Sequence, residues 1–312
     1  NPRRLDVLSF DVQLKAPEKT VEVLGPPLDR ARDEAGNWSN ASSGFAKKQG
    51  VAPEQLQTID TPKGPRLGLQ KTVPGVAARD ALNAIIQSSI AGLPIARRMR
   101  WGASREEFVR PVHWVVAMLG QDCDHGKIFN LSTGNTTRGH RFHGSGLITL
   151  NHAEDYESAL AKANVVASFE QRQQIIRELI EAQALALGAN AVIATDLLDE
   201  VTGLVEWPVA LTGSFEERYL QVPPEALISS MKEHQKYFHL VDSKGELLPH
   251  FITVANIESS DPQQVIAGNE RVIRPRLSDA AFFFETDKKT PLAERVASLS
   301  NIVFQQKLGT LL

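Results

Sequence analysis

The order of strand and helix patterns most limits the folds open to this chain. Apolar residues recur at strand or helix spacing in runs that do not alternate strictly. Several of the links between these runs are too short for the right-handed crossovers that join parallel strands. The pattern therefore predicts an α+β fold with mixed or antiparallel sheets and packed helices.

A chain of 312 residues is long enough for more than one domain. We place a first α+β region at residues 1–150 and a second α+β region at residues 151–312. Residues 25–65 are rich in Gly, Pro, Ser and Asn, and we interpret them as a loop-rich insertion with one short helix at about 42–49.

Periodicity predicts the individual elements. Strands are predicted at 66–73, 111–120 and 247–257, and helices at 75–93, 168–188 and 272–289. Alternation at Val7, Phe10, Val12 and Leu14 predicts one more strand near the N-terminus. Because this pattern has no lead-in, and the last residues also stop in mid-pattern, we expect both ends to be cuts in a longer chain.

The charge balance excludes a uniform attraction to nucleic acid. The 34 basic and 37 acidic residues give a formal net charge of −3 at pH 7, so any polyanion must be met by local patches. The single cysteine, Cys123, excludes an internal disulfide and a multi-thiolate zinc site, which fits a reducing compartment. No apolar run approaches the roughly 18 residues of a membrane span, so we predict no membrane partner.

No catalytic constellation is visible in the sequence. The turn GNTTRGHR has glycines at phosphate-loop spacing, but His140 and Arg141 stand where Lys and Ser or Thr would reach phosphate and magnesium. No G-x-G-x-x-G, H-E-x-x-H or G-x-S-x-G motif occurs. His140 and His143 have no third clustered ligand. We therefore predict no catalytic residue and no metal site.

Arginines cluster in three patches, at 97–110, 138–141 and 271–276. The planar guanidinium suits bidentate contacts with phosphate and stacking on bases. Equally, it suits acidic residues of another subunit, or the tying together of loops within the fold. The residues leave all three roles open. The candidate RNA- or subunit-binding residues are Arg97, Arg98, Arg100, Trp101, Arg110, Arg138, His140, Arg141, Arg271, Arg274 and Arg276.

Three consecutive phenylalanines, Phe282, Phe283 and Phe284, follow the last arginine patch. In a helix, three successive side chains fan across roughly 200 degrees and so face two different neighbours. We therefore predict that all three belong to the hydrophobic core.

Seven segments together resemble one known family. They are LPIARRMRWG, FVRPVHWVV, RGHRFHG, LVEWPVALTGSF, VPPEALISSMKEHQKYF, FITVANIES and GNERVIRPRLSDAAFFFETD. In these segments, in collinear order over nearly all of its length, the chain resembles the β subunit of the bacterial heterotetrameric glycyl-tRNA synthetases. Its first region is also similar to the B3/B4 module of the phenylalanyl-tRNA synthetase β chain, which implies an α+β fold.

The resemblance implies a division of labour between subunits. In that family the α subunit carries the catalytic core that activates glycine with ATP. The β subunit serves tRNA recognition and the active assembly, usually α2β2. ATP and Mg²⁺ are therefore expected on the α subunit, with no cofactor in this chain. The chain would act in the cytoplasm as part of glycine–tRNA ligase, with the α subunit and tRNA(Gly) as partners.

The resemblance also implies an N-terminal fragment that lacks the HD-type and anticodon-binding domains of the family. Three roles for such a fragment stay open. It could support both α-subunit docking and tRNA(Gly) binding, or it could be an assembly module without RNA contact. The B3/B4 similarity adds a vestigial hydrolase of mischarged tRNA. Since glycine is the smallest amino acid, larger ones are excluded sterically where glycine is activated, and the need for editing is weak.

Overall fold

The chain forms two compact units in a computed structural model that describes residues 2–144 and 146–311. The first unit is Leu8–Gly134, and the second unit joins Asn1–Val7 to Asn135–Leu312. Helices and small, mostly antiparallel sheets occur in both units, so the predicted α+β class is confirmed. The division at residue 150 stays a prediction about domains.

The first unit contains two helices among many short strands. Its strands are β1 (Lys19–Pro27), β2 (Gln57–Ile59), β3 (Arg66–Val73), β4 (Met99–Arg100), β5 (Glu107–Phe108), β6 (Val115–Val116), β7 (Met118–Leu119), β8 (Asp122–Cys123), β9 (Lys127–Ile128) and β10 (Leu131–Gly134). Its helices are α1 (Asn40–Gln49) and α2 (Ala78–Ala91). β1, β3 and β2 form an antiparallel sheet in that order, whereas β10 pairs in parallel with β6.

Helix α1 lies in the region interpreted as an insertion, close to the short helix predicted there. It begins after Ser39, whose hydroxyl accepts a hydrogen bond from the Ser42 N–H, and it ends at Gly50 with φ +74°. Ala46 of α1 packs with Leu67 of β3 in the small core of this unit. The predicted helix at 75–93 and the predicted strand at 66–73 are confirmed as α2 and β3.

Two strand predictions are wrong. Residues 111–120 form the two-residue strands β6 and β7 instead of one buried strand, and only Ala117 between them is buried. Between Val7 and Leu14 the chain is largely exposed and forms no strand. Alternation identifies the spacing of a strand, but it cannot supply the neighbouring strand that its N–H and C=O groups need.

The second unit carries the larger sheet and most of the helical structure. Its strands are β11 (Thr136–Arg138), β12 (Leu147–Thr149), β13 (Asn190–Ala191), β14 (Val209–Ser214), β15 (Phe238–Val241), β16 (Leu247–Ala255), β17 (Val303–Gln305) and β18 (Gly309–Thr310). Its helices are α3 (Asp155–Ala161), α4 (Phe169–Ala186), α5 (Thr195–Leu204), α6 (Pro224–Ser229), α7 (Pro262–Asp287) and α8 (Leu292–Arg295). The predicted helix at 168–188 and the predicted strand at 247–257 are confirmed as α4 and β16. The helix predicted at 272–289 is confirmed as part of α7, which begins ten residues earlier, at Pro262.

An antiparallel sheet with the order β13-β15-β16-β14 lies between two layers of helices in the second unit. Phe238, Leu240 and Ile252 pack with α4 and α5 on one face. Tyr237 and Phe251 pack with α6 and α7 on the other, and their rings stack with centroids 4.4 Å apart. Successive residues of a strand point to opposite faces, so β16 contributes Ile252 to one apolar cluster and Phe251 to the other.

Helix α7 continues through a proline. The Asp261 side chain caps its start by accepting a hydrogen bond from the Gln264 N–H. Pro275 lies inside the helix and has no N–H to donate to the carbonyl of Arg271, four residues earlier. Ile273 and Leu277 flank the proline and are fully buried against the sheet layer. Their packing holds the helix together where its own hydrogen bonding is interrupted.

A fully buried carboxylate, that of Glu206, holds the N-terminal residues of the chain in the second unit. Its two oxygens contact the guanidinium groups of Arg3 at 3.1 Å and Arg4 at 2.5 Å. Arg3 also donates to the Gly139 carbonyl, and Arg4 to the Arg138 carbonyl. A charge this deeply buried is tolerated only when it is paired and hydrogen-bonded. The pairing therefore joins the first residues of the chain to the segment after α5 and to the end of β11.

Arg172 on α4 extends this buried network. Its guanidinium donates to the carbonyls of Thr202, at 3.0 Å, and Val166, at 2.6 Å. Burial lowers the pKa of Arg172, and the nearby carboxylates of Asp6 and Glu206 oppose that shift. The arginine therefore ties α4 to α5 instead of reaching the surface.

We expect Glu206→Gln to lower the free energy of unfolding of the second unit by about 3–5 kcal/mol, because it leaves the buried Arg4 guanidinium without a counter-charge. Glu200→Gln is the control, since it removes the carboxylate of a partly exposed pair with Lys236 in the same unit and should cost no more than about 1 kcal/mol. Urea denaturation followed by circular dichroism measures both. Equal effects of the two substitutions would show that the Glu206 pairing does not hold the unit together.

Candidate nucleic-acid interface

The first arginine patch follows α2 in the first unit and is carried by the short hairpin of β4 and β5. Its candidate arginines, Arg97, Arg98, Arg100 and Arg110, are all exposed. Arg98 donates to the Ala91 carbonyl at 3.2 Å, and Arg100 pairs with Glu107 on the neighbouring strand at 2.6 Å. Arg97 and Arg110 have no acidic partner in the part of the chain that the structure describes.

Trp101 belongs to an aromatic cluster that packs against the hairpin of this patch. Its side chain is half-buried and meets the ring of Phe129 edge to face, with centroids 6.0 Å apart. Phe129 in turn contacts Phe108 of β5, with centroids 5.1 Å apart. The aromatic cluster fixes the hairpin from which the arginines project.

The second patch is the turn at 138–144 in the second unit, between β11 and β12. His140 is 2% exposed, and its Nε2–H donates to the Asn256 carbonyl at 2.8 Å. The opposite ring nitrogen, Nδ1, accepts the backbone N–H groups of Phe142 and His143, each at 3.2 Å. The structure thus places His140 inside the turn, where it positions the backbone. Arg138 and Arg141 stay at the surface.

Two glycines allow the turn to close this tightly. A Cβ atom at Gly139 would lie 2.5 Å from the Cβ of Ala163, and one at Gly144 would lie 2.7 Å from the backbone of His140. The Asn256 side chain links the same place to the buried carboxylate, because its Oδ1 accepts the N–H groups of Glu206 and Trp207. The turn is therefore continuous with the core network of the second unit.

The third patch lies on α7, where Arg271, Arg274 and Arg276 are exposed. Arg274 pairs with Glu216 at 2.7 Å. The pKa of Glu216 lies below its ordinary value, because the carboxylate accepts a hydrogen bond from the Glu216 backbone N–H and contacts Arg274. The arginines begin nine residues beyond the start of the helix, or about 14 Å along it.

The turn of the second patch contacts the segment before α7, where the Glu258 N–H donates to His143 Nε2.

The prediction of a phenylalanine core at the end of α7 is wrong for two of the three residues. Phe284 packs partly against the apolar cluster of α6 and α7, but Phe282 and Phe283 are 64% and 62% exposed. Helix α7 is an outer layer and buries one stripe, which includes Ile273 and Leu277. The fan of three side chains therefore reaches the core on one side and solvent on the other.

Sequence reasoning missed the arginines that serve the fold. Arg3, Arg4 and Arg172 are engaged with buried carboxylates or carbonyls, yet no clustering distinguishes them in the sequence. Of the nine candidate arginines, Arg100 and Arg274 pair with acids, and both pairs are at the surface. For the other seven, no acidic partner occurs among residues 2–144 and 146–311. These seven guanidinium groups are available to a partner.

Metal-binding groupings are absent from the described residues. No group of three His, Cys, Asp or Glu side chains there could hold a metal ion. A cavity of about 410 Å³ beside β12 and α3 is open to solvent and includes Asp155 and Ser158 in its lining. Asp155 accepts the His152 N–H, and Ser158 donates to the Asp155 carbonyl, so both are occupied in local backbone contacts. Within this same part of the chain, no helix combines the length and apolarity needed to cross a membrane.

Comparison with known proteins identifies the family. A family model described as "Glycyl-tRNA synthetase beta subunit" matches residues 1–312. The chain belongs to the glycyl-tRNA synthetase beta subunit family. The predicted resemblance is thus confirmed, and the relatives are subunits of an aminoacyl-tRNA synthetase by name.

Three relatives named glycine–tRNA ligase beta subunit illustrate the similarity. The chain is 53% identical to that of Chromohalobacter salexigens, 52% identical to that of Hahella chejuensis and 51% identical to that of Marinobacter nauticus. Each comparison covers 99% of this chain and 45% of the relative. The chain therefore spans less than half the length of these relatives.

We expect His140→Ala to loosen the turn at 138–144, because the N–H groups of Phe142 and His143 lose their acceptor. An unsatisfied buried donor costs about 1–3 kcal/mol, so these two amides should exchange their hydrogens roughly 5- to 150-fold faster. Hydrogen exchange followed by NMR or mass spectrometry measures this. Arg141→Ala, which removes an exposed side chain from the same turn, should leave exchange unchanged. Wild-type exchange rates in His140→Ala would contradict a positioning role for His140.

Proposed function

We propose that this chain is the N-terminal part of a glycyl-tRNA synthetase β subunit that docks on the α subunit and binds tRNA(Gly). It carries no catalytic residues of its own, and it supports the ATP-dependent glycylation of tRNA on the α subunit, in the cytoplasm. The observation that carries the RNA role is the set of seven exposed candidate arginines that have no acidic partner among the described residues. The family membership supports the choice of partners.

The electrostatic logic follows from the overall charge. With a formal net charge of −3, the chain as a whole does not attract a polyanion, so contact must be local. Guanidinium groups already paired with acids would offer a phosphate little, whereas Arg97, Arg110, Arg138, Arg141 and others are unpaired within the described residues. Fork-shaped donors at the surface suit the phosphates of a tRNA backbone.

The test is the salt dependence of tRNA(Gly) binding by the full-length β subunit in complex with α. Each phosphate contact that is removed should reduce the slope of log K against log salt by about 1. The double variants are Arg97→Gln with Arg110→Gln, Arg138→Gln with Arg141→Gln, and Arg271→Gln with Arg276→Gln. Arg30→Gln is the matched control, because it removes an exposed arginine outside the patches.

A patch that contacts RNA should lose affinity and about two units of slope in its double variant, and the control should keep both. A patch whose variant matches the wild type is not an RNA contact. If the wild-type complex binds no tRNA, or binds it with an affinity that does not depend on salt, the RNA role is removed altogether.

One observation favours a protein contact for part of α7. Phe282 and Phe283 are exposed side by side, with ring centroids 5.6 Å apart. Exposed apolar patches mark protein interfaces, and aromatic and arginine side chains are enriched at their centres. We therefore assign the end of α7 that carries Phe282 and Phe283 to α-subunit docking. In the alternative role as a pure assembly module, the arginine patches would also meet acidic residues of α.

We expect Phe282→Ser with Phe283→Ser to weaken association of full-length β with α by at least about 10-fold, since the proposed interface would lose two aromatic side chains that it covers. Leu185→Ser is the control, because it removes another exposed apolar side chain, on α4. Analytical ultracentrifugation of mixed subunits measures the affinity. Unchanged association of the double variant would place the docking face elsewhere.

Two further proposals are that the first region is related to the B3/B4 module and that the chain is a vestigial hydrolase of mischarged tRNA. The relation of the first region to the B3/B4 module rests on sequence resemblance. A hydrolase of mischarged tRNA would need a deep cavity with convergent polar groups. The open cavity beside α3 does not favour that role, because its Asp155 and Ser158 are engaged locally.

A further inference from the structure

The turn between β11 and β12 presents an aromatic side chain that the sequence analysis did not single out. Phe142 is 72% exposed at the tip of the turn. A single exposed apolar residue needs no explanation by itself. Here, however, its N–H is bonded to the buried His140 ring, and the Gly144 N–H donates to the His140 carbonyl at 2.8 Å. The backbone beneath the ring is thus fixed from both sides.

The surroundings of this ring are cationic. Arg141 holds its guanidinium carbon 5.9 Å from the Phe142 ring centroid, and the exposed Arg138 precedes it at the end of β11. Neither arginine pairs with an acid in the part of the chain described here. The inner side of the turn is closed by His143, which stacks on His140 with centroids 4.8 Å apart. An exposed aromatic ring therefore lies beside the Arg141 guanidinium, in a turn that also carries the exposed Arg138.

This combination matches the recognition of unpaired nucleotides. Bases in a duplex are stacked on one another and expose no face to a side chain, whereas an unpaired base can stack on an aromatic ring while cations hold the flanking phosphates. A rigid platform also loses little conformational freedom on binding. A wholly apolar protein partner would leave the two arginines unpaired at the interface, so RNA fits the site better.

We propose that Phe142 is a stacking platform for one unpaired nucleotide of a bound tRNA, with Arg138 and Arg141 contacting the phosphates beside it. This rests on the proposed function, of which it specifies the chemistry at one patch. His140 is a positioning residue in this arrangement, and Phe142 is the residue that touches the base. The nucleotide belongs either to the single-stranded 3′ end of the tRNA or to one of its loops.

The test compares four variants of full-length β in complex with α for binding of tRNA(Gly). Phe142→Ala and Phe142→Leu should each raise Kd by roughly 5- to 150-fold, the effect of losing one base–aromatic stack. Phe142→Trp should restore wild-type affinity, because it keeps a π-face. Leu147→Ala should have no effect, although it removes exposed apolar surface directly across the hairpin from Arg138. The Leu and Trp variants separate stacking from general apolar contact and from damage to the fold.

A tRNA whose single-stranded 3′ end has been removed locates the nucleotide. If Phe142→Ala no longer weakens binding of that RNA, the stacked base is at the 3′ end; if the penalty persists, it is in a loop. Either result supports the platform. Wild-type affinity in both Phe142→Ala and Phe142→Leu, with salt-dependent binding by the unaltered complex, would overturn the platform and leave the proposed function standing.

Two other results would also overturn the platform. Loss of α-subunit association in Phe142→Ala, at unchanged tRNA affinity, would show a protein contact instead. Absence of tRNA binding by the unaltered complex would remove the proposed RNA function, and the platform with it.

Discussion

The second unit depends on the neutralisation of one buried carboxylate. Glu206 lies at the end of α5, where the chain turns toward β14, and its charge is balanced by Arg3 and Arg4 from the start of the chain. Its backbone takes part as well, because the Glu206 carbonyl accepts the Val166 N–H. Without these cations the carboxylate would be unstable inside the protein. The ion pairs of Glu206 therefore connect the N-terminal residues to the segment between α5 and β14, and its carbonyl connects that segment to the residues before α4.

The same network reaches the surface through Asn256. Its side chain binds the backbone at Glu206, and its carbonyl accepts the hydrogen of His140. The turn that carries Arg138, Arg141 and Phe142 is thus connected through Asn256 to the backbone of the buried Glu206. A binding surface built in this way keeps its geometry without a partner, which lowers the ordering cost of contact.

Long periodic elements were predictable from the sequence. Helices α4 and α7 and strand β16 have apolar residues at the spacing of their own secondary structure, so local pattern and final packing agree. Residues 111–120 show the limit of such prediction, because the same apolar run is compatible with one long strand, as predicted, and with the two short strands observed. The phenylalanines of α7 show another, since spacing gives the angle between side chains but not which side of the helix is covered. That depends on the neighbouring layer, formed by residues distant in sequence.

The candidate site was predictable only as a set of charges. Clustering marked Arg138 and Arg141 as candidate binding residues but left internal pairing open, and nothing nearby marked Arg172 as buried or His140 as an internal support. Those roles depend on Thr202 and Asn256, which are 30 and 116 residues away. Phe142 gave no signal, because an aromatic residue in a glycine-rich turn is equally consistent with burial. Its exposure follows from the closure of the turn around His140.

The proline in α7 has a consequence for whatever covers that helix. Since Pro275 cannot donate to the Arg271 carbonyl, this oxygen lacks the partner that it would have in an uninterrupted α-helix and can accept a hydrogen bond from solvent or from another molecule. Arg271, Arg274 and Arg276 lie on the same stretch of the helix, and because their guanidinium groups only donate, the carbonyl adds an acceptor there. A partner that covers this stretch closely can therefore use a hydroxyl or amide donor of its own, or a bridging water molecule.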